Sequence, residues 1–386
     1  MKESSRNHGI DSLRAIAIML VLGLHYFGYL HDVGHEATGL AHVIGKSFGH
    51  GYYGVTMFFV ISGFLITTTS VNYVDRSRNR VGVPLYPFYV RRISRIFPLL
   101  SLSIALGALV LSLGLERSAA WINIYHLPNA RFNPAFWISI ATFSFNWVRI
   151  ASSHLSDGWG MHWDVLWSLA VEEQFYLLFP LTILMLGELR KIRVVLLLCI
   201  AGSLGCRAML LLDGHTWLQA FTNSFSCMDA LAIGCLTAFA APLAKSRIHI
   251  AAAAGLVLVV ATYLIGYRPV AGVMTTGLAV GTSLLIQAAR SSNPRKRALS
   301  AAFGYVGQLS FGLYLLHPLV LFLLAPLVAH VSPLIGFGMF IAACIVLAHI
   351  SFFLFERPVE RYLRKRMLGR PSEHTSMVIP REQTAA

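Results

Sequence analysis

Charge is what this 386-residue chain has least of: Asp, Glu, Lys and Arg together make up 12% of it. Soluble domains carry about 25%, so too few solvated side chains exist to cover a water-facing surface of this size. Cysteine is scarce too. Cys199, Cys206, Cys227, Cys235 and Cys344 all lie inside apolar runs and form no C-x-x-C pair, which excludes a disulfide framework or a zinc site and leaves small buried hydrophobes. The chain lacks an H-E-x-x-H motif, so its 15 histidines do not add up to a metal-dependent hydrolase, and no metal is expected. It lacks phosphate-loop glycine spacing as well. No repeat relates the Arg14–His25 span to any later one, and no loop is long enough to hold a soluble core. No small-residue cleavage site follows the first apolar run, which therefore reads as a retained span rather than a signal peptide.

Apolar sequence is abundant: 56% of residues are hydrophobic. Ten runs approach the ~20 residues needed to cross a bilayer. They cover about 12–30, 51–70, 93–114, 165–187, 192–212, 222–241, 248–266, 271–289, 303–326 and 333–355. The expected fold is all-α, a polytopic transmembrane helical bundle of about ten spans, with residues 1–370 as one membrane domain and 371–386 as a disordered tail.

The net charge of +14 does not point to nucleic acid, because the basic residues fall in short loops between apolar runs and not on one soluble face. They report topology instead. With both termini cytoplasmic, 24 of the 31 Lys and Arg residues lie inside and five outside, as the positive-inside rule demands. Arg14 and Arg207 remain within spans. The apolar stretch 132–150 would invert this pattern if it crossed the membrane. It therefore reads as a re-entrant or interfacial helix within an outer region, 115–163, whose Trp121, Trp137, Trp147, Trp159 and Trp163 suit the headgroup zone.

Polar residues at bilayer depth carry a free-energy cost, and each is a candidate functional residue. In the first span Arg14 and His25 are 11 residues apart, three turns, so they share one side of the helix about 16 Å from each other along its axis. Arg14 falls near the cytoplasmic surface, where a snorkelling role also fits, and His25 falls near the midplane. A neutral imidazole is the usual general base when a hydroxyl attacks a carbonyl; an interhelical hydrogen bond is the plainer alternative. Asp11 and Ser12 read most simply as a helix cap.

Arg92 and Arg95 share a face where FYVRRISRIFP enters the third span, and planar guanidinium groups there suit an anionic cytoplasmic ligand. Glu172 and Glu173 project about 100° apart, so both cannot face one cavity squarely. As buried carboxylates they must be neutral, paired or wet, and a structural pairing with Arg207 would also serve. Asp229 and His317 are further polar residues in apolar surroundings, each open to a plain helix–helix hydrogen bond. Ser62-Gly63 is weak by itself, while Gly54 and Gly63 permit close helix approach.

Six of these segments, in order, carry a resemblance: Arg14-x10-His25, FFVISGFLI, FYVRRISRIFP, WSLAVEEQFYLLFP, MDALAIG and SFGLYLLHPL. The chain resembles the membrane-bound acyltransferase-3 family of bacterial O-acyltransferases, in the stand-alone form without an esterase-like domain. That resemblance implies acyl-coenzyme A (acetyl-coenzyme A by default) as cytoplasmic donor and a carbohydrate or glycoconjugate hydroxyl beyond the membrane as acceptor. It places the chain in the bacterial cytoplasmic (inner) membrane, with lipid as its surroundings and no nucleic-acid partner. By the same resemblance His25 is catalytic, as general base or nucleophile, Glu172 is a second catalytic residue, and Arg14, Arg92 and Arg95 serve the donor. Asp11, Ser62, Glu173, Asp229 and His317 complete the polar interior. One departure is Cys227, which stands where many members carry an arginine two places before the aspartate. A transporter of a small or lipid-linked solute suits the intramembrane charges as well, but the absence of paired repeats counts against it.

Overall fold

A long apolar run away from water can satisfy its backbone only internally, which makes the helix its default form. The computed structural model describes residues 7–35, 37–71, 73–75, 79–113, 134–151, 164–266, 271–291, 298–328 and 330–369. Each of the ten runs lies on a helix there: α1 (His8–Asp32), α3 (Tyr53–Ser70), α4 (Leu85–Ser112), α7 (Leu166–Leu186) and α8 (Leu189–Leu212) in the first half. The second half supplies α10 (Ser224–Phe239), α11 (Lys245–Ile265), α12 (Ala271–Ser291), α13 (Ala298–Val328) and α14 (Pro333–Ser351). Among the described residues eight of these are long and apolar enough to cross a membrane, and α3 and α10 are apolar but shorter. The tail 371–386 lies outside the described residues.

Shorter helices fill the connections: α2 (Gly39–Ser47), α5 (Pro134–Ala141), α6 (Phe145–Ala151), α9 (Trp217–Thr222) and a terminal α15 (Arg357–Leu368). A small antiparallel ribbon, β1 (Tyr73–Asp75) with β2 (Arg80–Gly82), joins α3 to α4. Val81 N–H donates to Gly187 O and Leu189 N–H to Asn79 O, both at 3.0 Å, so the ribbon ties this connection to the α7–α8 turn. Strands of three residues are too short to leave a periodic signal in sequence.

α13 is the most enclosed span, packed along α1, while α8 and α11 turn rows of leucine and valine outward. The core runs between α1, α3, α7, α10 and α13. Two glycines set the α3–α10 contact. Gly63 sits against the carbonyl oxygen of Leu231, and Gly234 against that of Val60, so the two backbones touch reciprocally. Gly54 likewise meets the Ala17 carbonyl of α1. A side chain at Gly63 has nowhere to go. Gly63→Leu is expected to prevent recovery of folded protein, read by size-exclusion in detergent, whereas Gly202→Leu, with open space around it, leaves yield unchanged.

Three boundaries differ from the sequence reading. The cap of α1 is Asn7, whose side chain accepts from Gly9 and Ile10 N–H, and not Asp11-Ser12. Asp11 instead lies in the first turn, 3.8 Å from Arg14, and Ser12 donates to His8 O. α4 begins at Leu85, so Arg92 and Arg95 lie about two and about three turns inside it rather than at its start. α14 does not end near residue 355. It passes through a π-helical turn, Phe352–Glu356, into α15, and Ser351 donates to Glu356 across that turn at 3.0 Å.

Of the 132–150 segment, α5 and α6 have eight and seven residues, far below a span. They are separated at Phe143, a non-glycine residue with φ +51°. Gln174 of α7 holds this elbow, donating to Phe143 O at 2.6 Å and to Asn146 Oδ1 at 3.0 Å while accepting from Ser224. Trp121, Trp159 and Trp163 lie outside the described residues.

Candidate active site

α1, α3, α4, α7 and α13 enclose a cavity of about 100 Å³. Its apolar wall comes from Val55, Phe58, Phe59, Ile61, Leu169 and Phe311, and its polar wall from Arg14, Ser62, Arg92, Arg95, Glu172 and Tyr176. Five residues singled out from sequence therefore converge here: Arg14, Ser62, Arg92, Arg95 and Glu172. The helical turn of α7, about 100° per residue, explains the choice between neighbouring carboxylates. Glu172 lines the cavity, whereas Glu173 does not, and its Oε1 is buried with no hydrogen-bond partner among the described residues.

Tyr176, one turn beyond Glu172, organises the polar wall. Its hydroxyl donates to Glu172 Oε2 at 3.0 Å, and Ser62 Oγ lies 2.7 Å from the same hydroxyl. A phenol has one proton, so Ser62 is the donor in that second bond and the chain runs Ser62 to Tyr176 to Glu172. The Arg92 guanidinium stands 4.9 Å from the Tyr176 ring centroid, a cation–π distance, and faces the two glutamates. Opposite, Tyr314 Oη is 2.7 Å from Ser168 Oγ, and the buried Ser310 Oγ has no hydrogen-bond partner among the described residues. An enclosed wall that leaves such a group open is ready for a ligand's polar atom.

A larger, more open hollow of about 630 Å³ adjoins the cavity and shares Arg14, Leu65, Arg95 and Phe311 with it. Asp11, Arg290, Gln308, Glu356, Arg357 and Glu360 add to its polar lining, beside the apolar Ile10, Phe64 and Phe352. Arg14 and Arg95 thus stand where a charged vestibule meets a smaller, mostly apolar chamber.

His25 is not part of the chamber wall. It lies against His317 of α13, ring centroids 4.9 Å apart, and the His317 ring lies 6.0 Å from that of Tyr314, which does line the chamber. The charges of Asp164 and Arg149 act on His25 electrostatically, and these two bind each other through two hydrogen bonds of 2.5 and 3.1 Å.

Asp229 is engaged elsewhere. Arg207 of α8 grips it in a fork of 3.1 and 2.6 Å, Thr276 donates to it, and Arg207 also donates to Ser226 O and Thr276. Both charges are buried, at 2% and 1% exposure. The guanidinium missing at Cys227 is therefore supplied from the neighbouring helix, and Arg207 serves Asp229 rather than Glu172 or Glu173. Removing one partner strands the other charge. Arg207→Ala is expected to destabilise the bundle by about 3–5 kcal/mol, read as thermal unfolding in detergent, with Arg207→Ala/Asp229→Ala recovering part of that loss.

Tyr176, Tyr314, Ser168 and Ser310 escaped the sequence reading. The first two carried a usable signal, since Tyr176 is four residues after Glu172 and Tyr314 three before His317, each on the same helix face. The serines carried none. Among the described residues no group of three or more His, Cys, Asp or Glu could hold a metal ion.

Comparison with known proteins follows the same lines. A family profile described as "Acyltransferase domain" matches residues 7–354. The chain is 26% identical over 381 residues to the peptidoglycan O-acetyltransferase OatA of Listeria monocytogenes, covering 91% of this chain and 55% of that protein. It is 25% identical over 378 residues to the O-acetyltransferase OatA of Staphylococcus aureus, covering 92% and 57%. The chain thus spans about half the length of the curated relatives it matches. No solved structure matches it.

Proposed function

This chain belongs to the acyltransferase domain family, and from that premise we propose that it moves an acyl group, acetyl by default, from acyl-coenzyme A to a carbohydrate hydroxyl across a bacterial cytoplasmic membrane. The observation that carries the reading is the pair Arg14 and Arg95, which line both a charged vestibule and the smaller apolar chamber beside it. A phosphorylated carrier with a long flexible arm fits that shape. Its phosphates suit Arg95 and Arg14 at the mouth, and its arm suits the apolar chamber. Arg92, held by Tyr176 and the glutamates, keeps the inner wall cationic, and Glu172 fixes Tyr176 and Ser62 in place. With both termini cytoplasmic, the vestibule opens to the cytoplasm and His25 faces an acceptor arriving from outside.

The thioester supplies an activated acyl group. His25 accepts the proton of the acceptor hydroxyl as its oxygen attacks the carbonyl carbon; the C–O bond forms, the C–S bond breaks, and the thiolate recovers the proton from His25. The name of the Listeria relative points to a peptidoglycan-type glycan as acceptor. The test is transfer of radiolabelled acetyl from acetyl-coenzyme A to peptidoglycan fragments by the purified protein in liposomes. Label in the glycan supports the reading. Solute flux across the liposome wall with no label transferred would replace it with transport.

A further inference from the structure

His317 is followed by proline, and that dipeptide has a physical consequence in the middle of α13. Pro318 has no N–H, so the Tyr314 carbonyl, which would accept it in a regular helix, loses its backbone donor. The His317 side chain fills the gap. Its Nδ1 lies 2.9 Å from Tyr314 O and 3.0 Å from Leu313 O. Carbonyl oxygens only accept, so Nδ1 carries the proton, and in a neutral imidazole Nε2 is then a bare acceptor. That nitrogen is fully buried and has no hydrogen-bond partner among the described residues. The ring beside it belongs to His25, at 4.9 Å between centroids and 60° between planes.

We infer that His317 is the positioning residue for His25: its proline-locked tautomer presents Nε2 to accept the N–H of His25, which turns the other nitrogen of His25 outward as a base. The inference rests on the proposed role of His25 and extends it with the group that orients the base. A base whose second nitrogen is held in this way keeps one tautomer and one ring orientation, and the imidazolium formed when it takes the acceptor's proton is stabilised by the same bond. No proton passes to His317. The proton stays on His25 until the leaving thiolate takes it.

Two substitutions at this position separate positioning from plain helix repair. His317→Asn keeps an amide donor near the Tyr314 carbonyl but has no atom where Nε2 stood. His317→Gln carries an amide oxygen to about the Nε2 position and gives up the short tie to the helix. Both are assayed for acetyl transfer, as kcat and KM for acetyl-coenzyme A, beside His25→Ala and with thermal unfolding of each protein. The expected result is that Asn lowers kcat by about 10²-fold with donor KM unchanged, while Gln stays within roughly tenfold of wild type. Wild-type activity in the Asn variant, a reversed order of the two, or equal loss in both folded variants overturns the inference. An active His25→Ala protein would instead overturn the catalytic reading on which it rests, whatever the His317 variants do.

Discussion

Replacing His25 with alanine is expected to reduce acetyl transfer by about 10²–10⁴-fold, the range a general base contributes, and to leave donor binding essentially unchanged. The separation follows from where the ring sits. His25 is outside the chamber wall and against His317, so its removal leaves the side chains that line the chamber in place. A drop in kcat at constant donor KM is the signature of a group used only in the transition state. Radiolabel transfer at varied acetyl-coenzyme A measures both at once. A fall in donor affinity matching the fall in rate would instead place His25 in the binding surface.

Arg95→Ala is expected to do the converse. Loss of one charge-assisted contact to a phosphate, worth roughly 1.5–3 kcal/mol, raises the donor's dissociation constant about ten- to a hundredfold. Arg95 is a cleaner probe than Arg92. It lines both the vestibule and the chamber, whereas Arg92 is stacked on Tyr176 and faces Glu172 and Glu173, so its loss would also uncover buried carboxylates. Arg95→Lys restores charge but not the planar fork, and is expected to fall between the two. Dephosphocoenzyme A, which lacks one phosphate, offers a matched comparison: if Arg95 meets that phosphate, the analogue binds the wild type and Arg95→Ala alike.

How far the sequence carries can be followed through single residues. Hydrophobic length alone located all ten helices, because no other element satisfies an apolar backbone. It placed their ends less well. Asp11-Ser12 had the composition of a cap, yet Asn7 caps the helix and Asp11 is turned toward Arg14. The continuation of α14 through a π-helical turn left no periodic trace, since it costs only one inserted residue in the repeat. Within the site, helical spacing separated Glu172 from Glu173 and grouped Arg92 with Arg95. Contacts between distant helices were another matter. Nothing in the order of residues links His25 to His317, Arg207 to Asp229, or Ser62 to Tyr176, because each pair meets only through tertiary packing.

The most direct measurement is calorimetric titration of acetyl-coenzyme A into the detergent-purified wild-type protein, with Arg95→Ala beside it. Saturable binding to the wild type, weakened by Arg95→Ala, is the predicted result. Absence of binding to a wild-type protein that unfolds cooperatively on heating would contradict the assignment of the vestibule and chamber to an acyl donor.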